Sequence, residues 1–213
     1  MKALTFFAMC AAAVLTAGAA NTWYVNADHY GQSGLDGKSE ALAYGTIQDA
    51  ISKASNGDTI YVAPGVYSNG LGKAVASWGK SRIGWNNKKL YLYSTGDASN
   101  THIVGEKDPS TELGTGPNAV RCFSMYDYQN ASCGGTIFKG FTFRDGSTVT
   151  ALSEGTDLQS QALQGGAVRI SHSDVFFVDC VFSNCSAMGS GAVFNGTFIR
   201  CIFKDNHVAS SGS

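Results

Sequence analysis

The sequence predicts an all-β protein, a right-handed parallel β-helix or solenoid with an N-terminal amphipathic capping helix, and three observations predict it. The stretch 177–185, Phe-Val-Asp-Cys-Val-Phe-Ser-Asn-Cys, returns twenty-one residues later at 198–206 as Phe-Ile-Arg-Cys-Ile-Phe-Lys-Asp-Asn, and a fainter copy runs from Phe138 to Gly146. A unit this short cannot bury its own apolar face and must stack on a neighbour, and its alternating pattern makes the stacked objects strands. The composition agrees: 26 glycines but 3 prolines, with abundant Ser, Asn and Phe, suit short strands joined by tight turns. Finally, a single good helical pattern stands ahead of the strand series, where a solenoid needs a cover for its first coil.

Residues 1–20 carry Lys2, an apolar run from Leu4 to Leu15 and the small residues Ala17-Gly18-Ala19-Ala20. This is the pattern of a secretory signal peptide, which places the mature start near Asn21 and the protein outside the cytoplasm. The run is too short to span a bilayer, and no other segment reaches the roughly 20 apolar residues of a transmembrane helix. Charge is sparse, at 15% of residues, and nearly balanced at −1. No basic field exists to hold nucleic acid.

Residues 21–57 form the opening unit. Trp23-Tyr24-Val25 is a short strand, a Gly-punctuated loop follows, and then comes the helix. Thr46 is its N-cap with Asp49 three residues on, Ile47, Ala50, Ile51 and Ala54 share one face, and Gly57 is placed to end it. Residues 58–213 are read as coils: a strand from Asp58 that turns at Pro64-Gly65 and resumes to Tyr67, then strands at Lys88–Tyr93, Ile103-Val104, Val120–Tyr128, Thr136–Phe143, Ala167–Ile170, Val175–Phe182, Ala192–Phe194 and Thr197–Phe203. Ser68–Asn87 departs from the repeat and is expected to be a loop thrown out from the coil, with a second insertion between Gly146 and Gln164. Phe143, Phe182 and Phe203 are equivalent and are expected to form an interior ladder, while Asp179 and Arg200 are placed to pair outside it. No second cap follows the last full repeat, so the coils are expected to continue in a longer protein.

Of six cysteines, Cys10 belongs to the signal and five remain: Cys122, Cys133, Cys180, Cys185 and Cys201. The odd number leaves at least one unpaired. Cys180 and Cys201 occupy the same position of successive coils, where stacked strands are about 4.7–4.9 Å apart and a disulfide wants its Cβ atoms near 3.8 Å; buried thiols are the expected state.

Trp23 to Tyr67, with its Gly-Thr-Ile-Gln-Asp-Ala-Ile helix and Gly-Asp-Thr-Ile-Tyr-Val-Ala-Pro-Gly-Val-Tyr run, resembles the start of parallel β-helix proteins of the pectate-lyase-like superfamily. Gly165-Gly166-Ala167-Val168 and Phe203-Lys204-Asp205-Asn206 are similar to repeats of polymorphic outer-membrane proteins, surface β-helices implicated in adhesion. The second resemblance implies an outer-membrane or cell-surface adhesin. The first implies a polysaccharide lyase or glycoside hydrolase, with Ca²⁺ held by acidic residues against a uronate and an Arg or Lys as base.

Such a site needs two or three carboxylates converging with a base nearby. The sequence offers Asp145 with Arg144, Asp179 with Arg200 and Asp205 with Lys204, which read as solvated turns, and no catalytic motif carries over. No metal ligand set is predicted, and scattered His29, His102, His172 and His207 read as turn residues. The candidate binding residues are instead aromatic: Trp78, Trp85, Tyr126 and Tyr128, expected on loops as a platform for sugar rings. The sequence thus ranks an exported scaffold contacting polysaccharide or cell-surface glycan first, and an enzyme with its site on later coils second.

Overall fold

The computed structural model describes residues 20–72, 78–127, 133–150, 161–171 and 174–208. The chain begins with β1 (Thr22–Val25), a 3-10 turn at Ala27–His29 and helix α1 (Ile47–Lys53), then winds through repeated triplets of strands. The first coil is β2 (Thr59–Val62), β3 (Gly65–Tyr67) and β4 (Lys80–Asn86), and the second is β5 (Tyr91–Ser94), β6 (Thr101–Val104) and β7 (Val120–Tyr126). The third is β8 (Thr136–Lys139), β9 (Thr142–Arg144) and β10 (Val168–Ile170). The fourth is β11 (Val175–Val178), β12 (Val181–Ser183), β13 (Ser186–Ala187) and β14 (Val193–Phe194); the fifth is β15 (Thr197–Ile199), β16 (Ile202–Lys204) and β17 (His207–Val208).

Equivalent strands pair in parallel, giving a six-stranded first face (β1-β2-β5-β8-β11-β15), a five-stranded second face (β3-β6-β9-β12-β16), a four-stranded third face (β4-β7-β10-β14) and the small pair β13-β17. This is a parallel β-helix. The pairs Thr59↔Tyr91, Tyr91↔Ile137, Thr136↔Val175 and Phe176↔Thr197 give successive coils of 32, 46, 39 and 21 residues. Only the last coil is free of insertions, which is why the repeat shows clearly only there.

Strands predicted as continuous are in fact bent. Between the first and second faces the chain turns at Gly140 (φ 79°), Asp179 (φ 53°) and Arg200 (φ 51°), and it leaves the second face at Asp145, Asn184 and Asp205 (φ 58°, 53° and 53°). The left-handed region costs least for Gly and, among the others, for Asn and Asp. Arg200 is the exception. Its Nε and Nη2 donate to the Asp179 carboxylate at 2.7 and 2.9 Å, the predicted pair, which sits on the corner rather than on the strands. Thr136–Phe143, Val175–Phe182 and Thr197–Phe203 therefore each divide into two strands on different faces.

Two phenylalanine ladders fill the interior. Phe143, Phe182 and Phe203 stack at 5.1 and 4.8 Å with planes within 12°, as predicted, and Phe138, Phe177 and Phe198 stack beside them at 5.3 Å. In each coil the two rings meet edge to face, at 5.5, 5.4 and 5.2 Å. Stacked and T-shaped contacts are the two favoured ring geometries, so the arrangement satisfies both along and across the axis.

Helix α1 buries Ile47, Ala50 and Ile51 against β1, β2 and β4. The Thr46 hydroxyl accepts from the Asp49 N–H at 3.1 Å and donates to its carboxylate at 2.7 Å, the reciprocal cap the sequence implied. The stop differs: the helix ends at Lys53, Ala54 is extended, and Gly57 (φ 87°) serves the turn into β2. Just beyond, buried Asp58 ties the unit together by accepting from Asn21 N (2.7 Å), Trp23 Nε1 (2.8 Å) and Ser55 N (2.8 Å).

Ser68–Asn87 is not simply a loop, because β4 runs through it and pairs with β7. Trp85 packs on Phe123 at 4.9 Å inside the coil. Cys122, Cys133, Cys180 and Cys185 are buried thiols and Cys201 is half-buried. No helix among the described residues is long and apolar enough to cross a membrane. The predicted signal peptide lies, but for Ala20, outside the described residues.

Candidate functional site

Alternation along the first face sends two rows inward, one of them through Val25 and Val62, and leaves two rows outward. Trp23, Ile60, Leu92 and Phe138 are interior, while Tyr24, Tyr61, Tyr93 and Lys139 occupy the next register position and face out. The three tyrosines form a ladder, with ring centroids 6.0 Å (Tyr24–Tyr61) and 6.1 Å (Tyr61–Tyr93) apart. Tyr91, from the flanking outward row, stacks on Tyr93 at 6.5 Å with planes within 9°, and the Lys89 ammonium sits 5.7 Å over the Tyr91 ring. Tyr61 is 36% exposed. Burial, then the neighbouring Tyr91 and Tyr61, pushes the Tyr93 hydroxyl above the ordinary phenol range, so this hydroxyl stays neutral at pH 7. A cavity of about 150 Å³ adjoins Tyr24 and Tyr61, with Asn26, Glu40 and Thr95 on its walls. Apolar ring faces bordered by a few polar groups are what a sugar ring needs to stack and be oriented.

A wider groove of about 610 Å³ opens between the second and third faces, lined by Ser68, Asn69, Lys80, Arg82, Glu106 and Asn118 among others. Arg82 is fixed there, donating to Val104 O at 2.8 Å and Gly70 O at 2.9 Å, with the Glu106 carboxylate 3.7 Å away. Burial lowers the Arg82 pKa and Glu106 opposes that. Asp108, close by, is a turn anchor: its oxygens are taken by the Ser110 hydroxyl and N–H and by Asn118 N.

The predicted acidic candidates do not converge. Asp145 pairs with Arg144 and accepts from Asn184 Nδ2 at 2.6 Å, Asp179 is held by Arg200, and Asn184 separates Asp145 from Asp205. Among the described residues no group of three His, Cys, Asp or Glu side chains could hold a metal ion. His29 Nδ1 and His102 Nε2 hydrogen-bond to the loop carbonyls of Ala43 and Ser99.

The predicted aromatic platform is corrected in part. Trp78 and Trp85 are both buried, and Tyr126 meets Trp78 edge-on at 5.4 Å while Trp85 lies elsewhere, in the core. Tyr128 lies outside the described residues. Trp78 is a brace for two buried cations. The Arg169 guanidinium lies between the Trp78 ring (4.4 Å) and the Phe194 ring (4.5 Å). Arg121 donates to the carbonyls of Trp78, Ala162, Gln164 and Gly165, tying the inserted segments to the coil. Burial, and then repulsion from Arg169, pulls Arg121 down to about 9. The motif the sequence did carry for an outward platform was a tyrosine between inward residues, in Trp23-Tyr24-Val25, Ile60-Tyr61-Val62 and Leu92-Tyr93.

Comparison with solved structures finds similarity to a pectin methylesterase from carrot, with 15% identity, a TM-score of 0.40, and coverage of 91% of this chain and 55% of that one. The chain thus spans about half the length of that enzyme. No family model matches the sequence, and no curated protein matches it.

Proposed function

We propose that this chain is part of an exported or cell-surface β-helix scaffold that binds glycan across its first face. The observation that carries the reading is the outward ladder of Tyr24, Tyr61 and Tyr93 with Tyr91 beside it, evenly spaced along the solenoid axis. A polysaccharide is itself a linear repeat, and a ladder of amphipathic rings offers successive units successive stacking surfaces. Adhesion to a glycan-coated cell surface is the biological role this binding would serve.

The test is affinity electrophoresis of the purified protein in gels containing neutral or uronate polysaccharides, with Tyr61→Ala and the double variant Tyr24→Ala/Tyr61→Ala. A stacking contact of about 0.5–1.5 kcal/mol corresponds to about 2- to 12-fold in affinity per ring. Retardation by at least one polymer that falls stepwise in the two variants supports the proposal. Equal retardation of all three proteins, or none of any, overturns it. Release of unsaturated uronides, read by ultraviolet absorbance with and without Ca²⁺, would instead establish a lyase.

A further inference from the structure

Cys180 and Cys201 follow the same corner of successive coils: Val181 is paired with Ile202, and Cys180 O accepts the Ile202 N–H at 3.0 Å. Adjacent parallel strands lie about 4.7–4.9 Å apart, inside the 4.4–6.8 Å range of Cα separations that disulfides span. Each sulfur lies near the carbonyl of the strand before its own corner, Cys180 Sγ 3.3 Å from Val178 O and Cys201 Sγ 3.5 Å from Ile199 O, and Cys201 Sγ also reaches back to Phe177 O on the neighbouring coil at 3.2 Å. Among the described residues Cys180 is buried and Cys201 is half-exposed, so Cys201 is the more accessible thiol of the pair.

A second pair supplies the contrast. Cys122 and Cys185 also meet at one corner, the one after β9: Cys122 Sγ donates to Arg144 O at 3.3 Å and Gly146 N donates to Cys185 Sγ at 3.4 Å. Both of these sulfurs are sealed in the core, and the fifth cysteine, Cys133, is buried as well.

We propose that Cys180 and Cys201 form a reactive dithiol that small-molecule disulfides convert to a cross-coil disulfide, with Cys201 as the attacking sulfur and Cys180 as the resolving one. Cys201 thiolate attacks one sulfur of the reagent RSSR, forming Cys201–S–SR and releasing RS⁻. Cys180 gives up its proton and attacks the Cys201 sulfur, forming the Cys180–Cys201 bond and expelling the second RS⁻. The two thiols lose two protons and two electrons, and RSSR becomes two RSH. The neighbouring Cys180, through its thiol and its backbone, favours the Cys201 thiolate and outweighs partial burial and the Asp179 charge; the net direction is downward, toward a larger thiolate fraction.

The test exposes the folded full chain to oxidised glutathione, blocks remaining thiols by alkylation after denaturation, and maps tryptic peptides by mass spectrometry, since Arg200 offers a cleavage point between the two cysteines. The expected result is a Cys180–Cys201 linked peptide with Cys122, Cys133 and Cys185 alkylated. Cys201→Ser should abolish the fast reaction, and Cys180→Ser should halt it at a stable glutathione adduct on Cys201. The proposal is overturned if wild type accumulates that adduct as Cys180→Ser does, or if Cys201 reacts no faster than Cys133. Circular dichroism confirms that each variant is folded before its reactivity is scored.

Discussion

Replacing Phe182 by Ala tests the principle that holds the coils together. Its ring is fully buried and touches four others: Phe143 (5.1 Å) and Phe203 (4.8 Å) stacked, Phe177 (5.4 Å) and Phe198 (5.5 Å) edge to face. Phe-to-Ala changes in packed cores cost about 3–5 kcal/mol from lost transfer energy plus the cavity left behind. With neighbours above, below and beside it, the site can collapse little, so Phe182→Ala should lie at the upper end, about 4–5 kcal/mol. Phe203 has one stacked and one edge neighbour among the described residues and is 46% exposed, so Phe203→Ala should cost about 1–2 kcal/mol. Urea denaturation followed by far-ultraviolet circular dichroism, with unchanged slopes, measures both. A loss below about 1.5 kcal/mol for Phe182→Ala, or a larger loss for Phe203→Ala than for Phe182→Ala, would refute the ladder as the dominant inter-coil term.

Asp58 should make the protein acid-sensitive. Burial alone would raise its pKa, but the hydrogen bonds from Trp23, Ser55 and Asn21 outweigh it and hold the folded-state value below the ordinary one. The carboxylate's contribution is therefore complete above the unfolded value of about 4 and is lost as pH falls through the lower folded value. Asp58→Asn, which cannot accept all these donors, should cost about 1–3 kcal/mol at neutral pH and flatten the acid limb of a stability–pH curve; an unchanged limb would exclude Asp58 as its source. Thr46→Ala removes the cap of α1 and should lower the urea midpoint by an amount equivalent to about 0.5–2 kcal/mol, with Thr46→Ser restoring most of it. Arg121→Met leaves the carbonyls of Trp78, Ala162, Gln164 and Gly165 without their shared donor, and hydrogen exchange should accelerate in residues 161–165 before it does in β7.

The sequence revealed the solenoid because its last coil is minimal. With twenty-one residues between Phe176 and Thr197, nothing interrupts the periodicity, and the Phe182–Phe203 and Cys180–Cys201 equivalences can be read by eye. Earlier coils have the same three faces but carry insertions at the corners, so their strands were found singly and not as a repeat. β4 was missed altogether for a physical reason: Ser81 and Arg82 are buried polar residues, and Gly84 supplies no side chain. Alternation assumes that polar means exposed, and Ser81 breaks that assumption by hydrogen-bonding to Ser124 across the sheet while Arg82 donates to Val104 O. The corner at Pro64-Gly65 announced itself by composition, but the later ones at Gly140, Asp179 and Arg200 did not, since one residue in the left-handed region redirects a strand without changing its composition.

The exposure of Trp78 and Trp85 was misread by the same route that mislaid β4. A tryptophan between glycines and lysines looks like an exposed ring on a loop, yet Trp78 has buried guanidinium on its face and Trp85 has Phe123. What distinguishes an outward aromatic in a β-helix is its phase against the inward row, which is a property of the register and not of its immediate neighbours. Tyr24, Tyr61 and Tyr93 share that phase across three coils whose spacings in sequence are unequal, 37 and 32 residues by their pairing. Unequal loops separate them in the chain while the ladder hydrogen bonds bring them into line. An aromatic face of this kind is therefore assembled by coil registry, and insertions at the corners can lengthen or shorten a coil without moving any of its rings off the face.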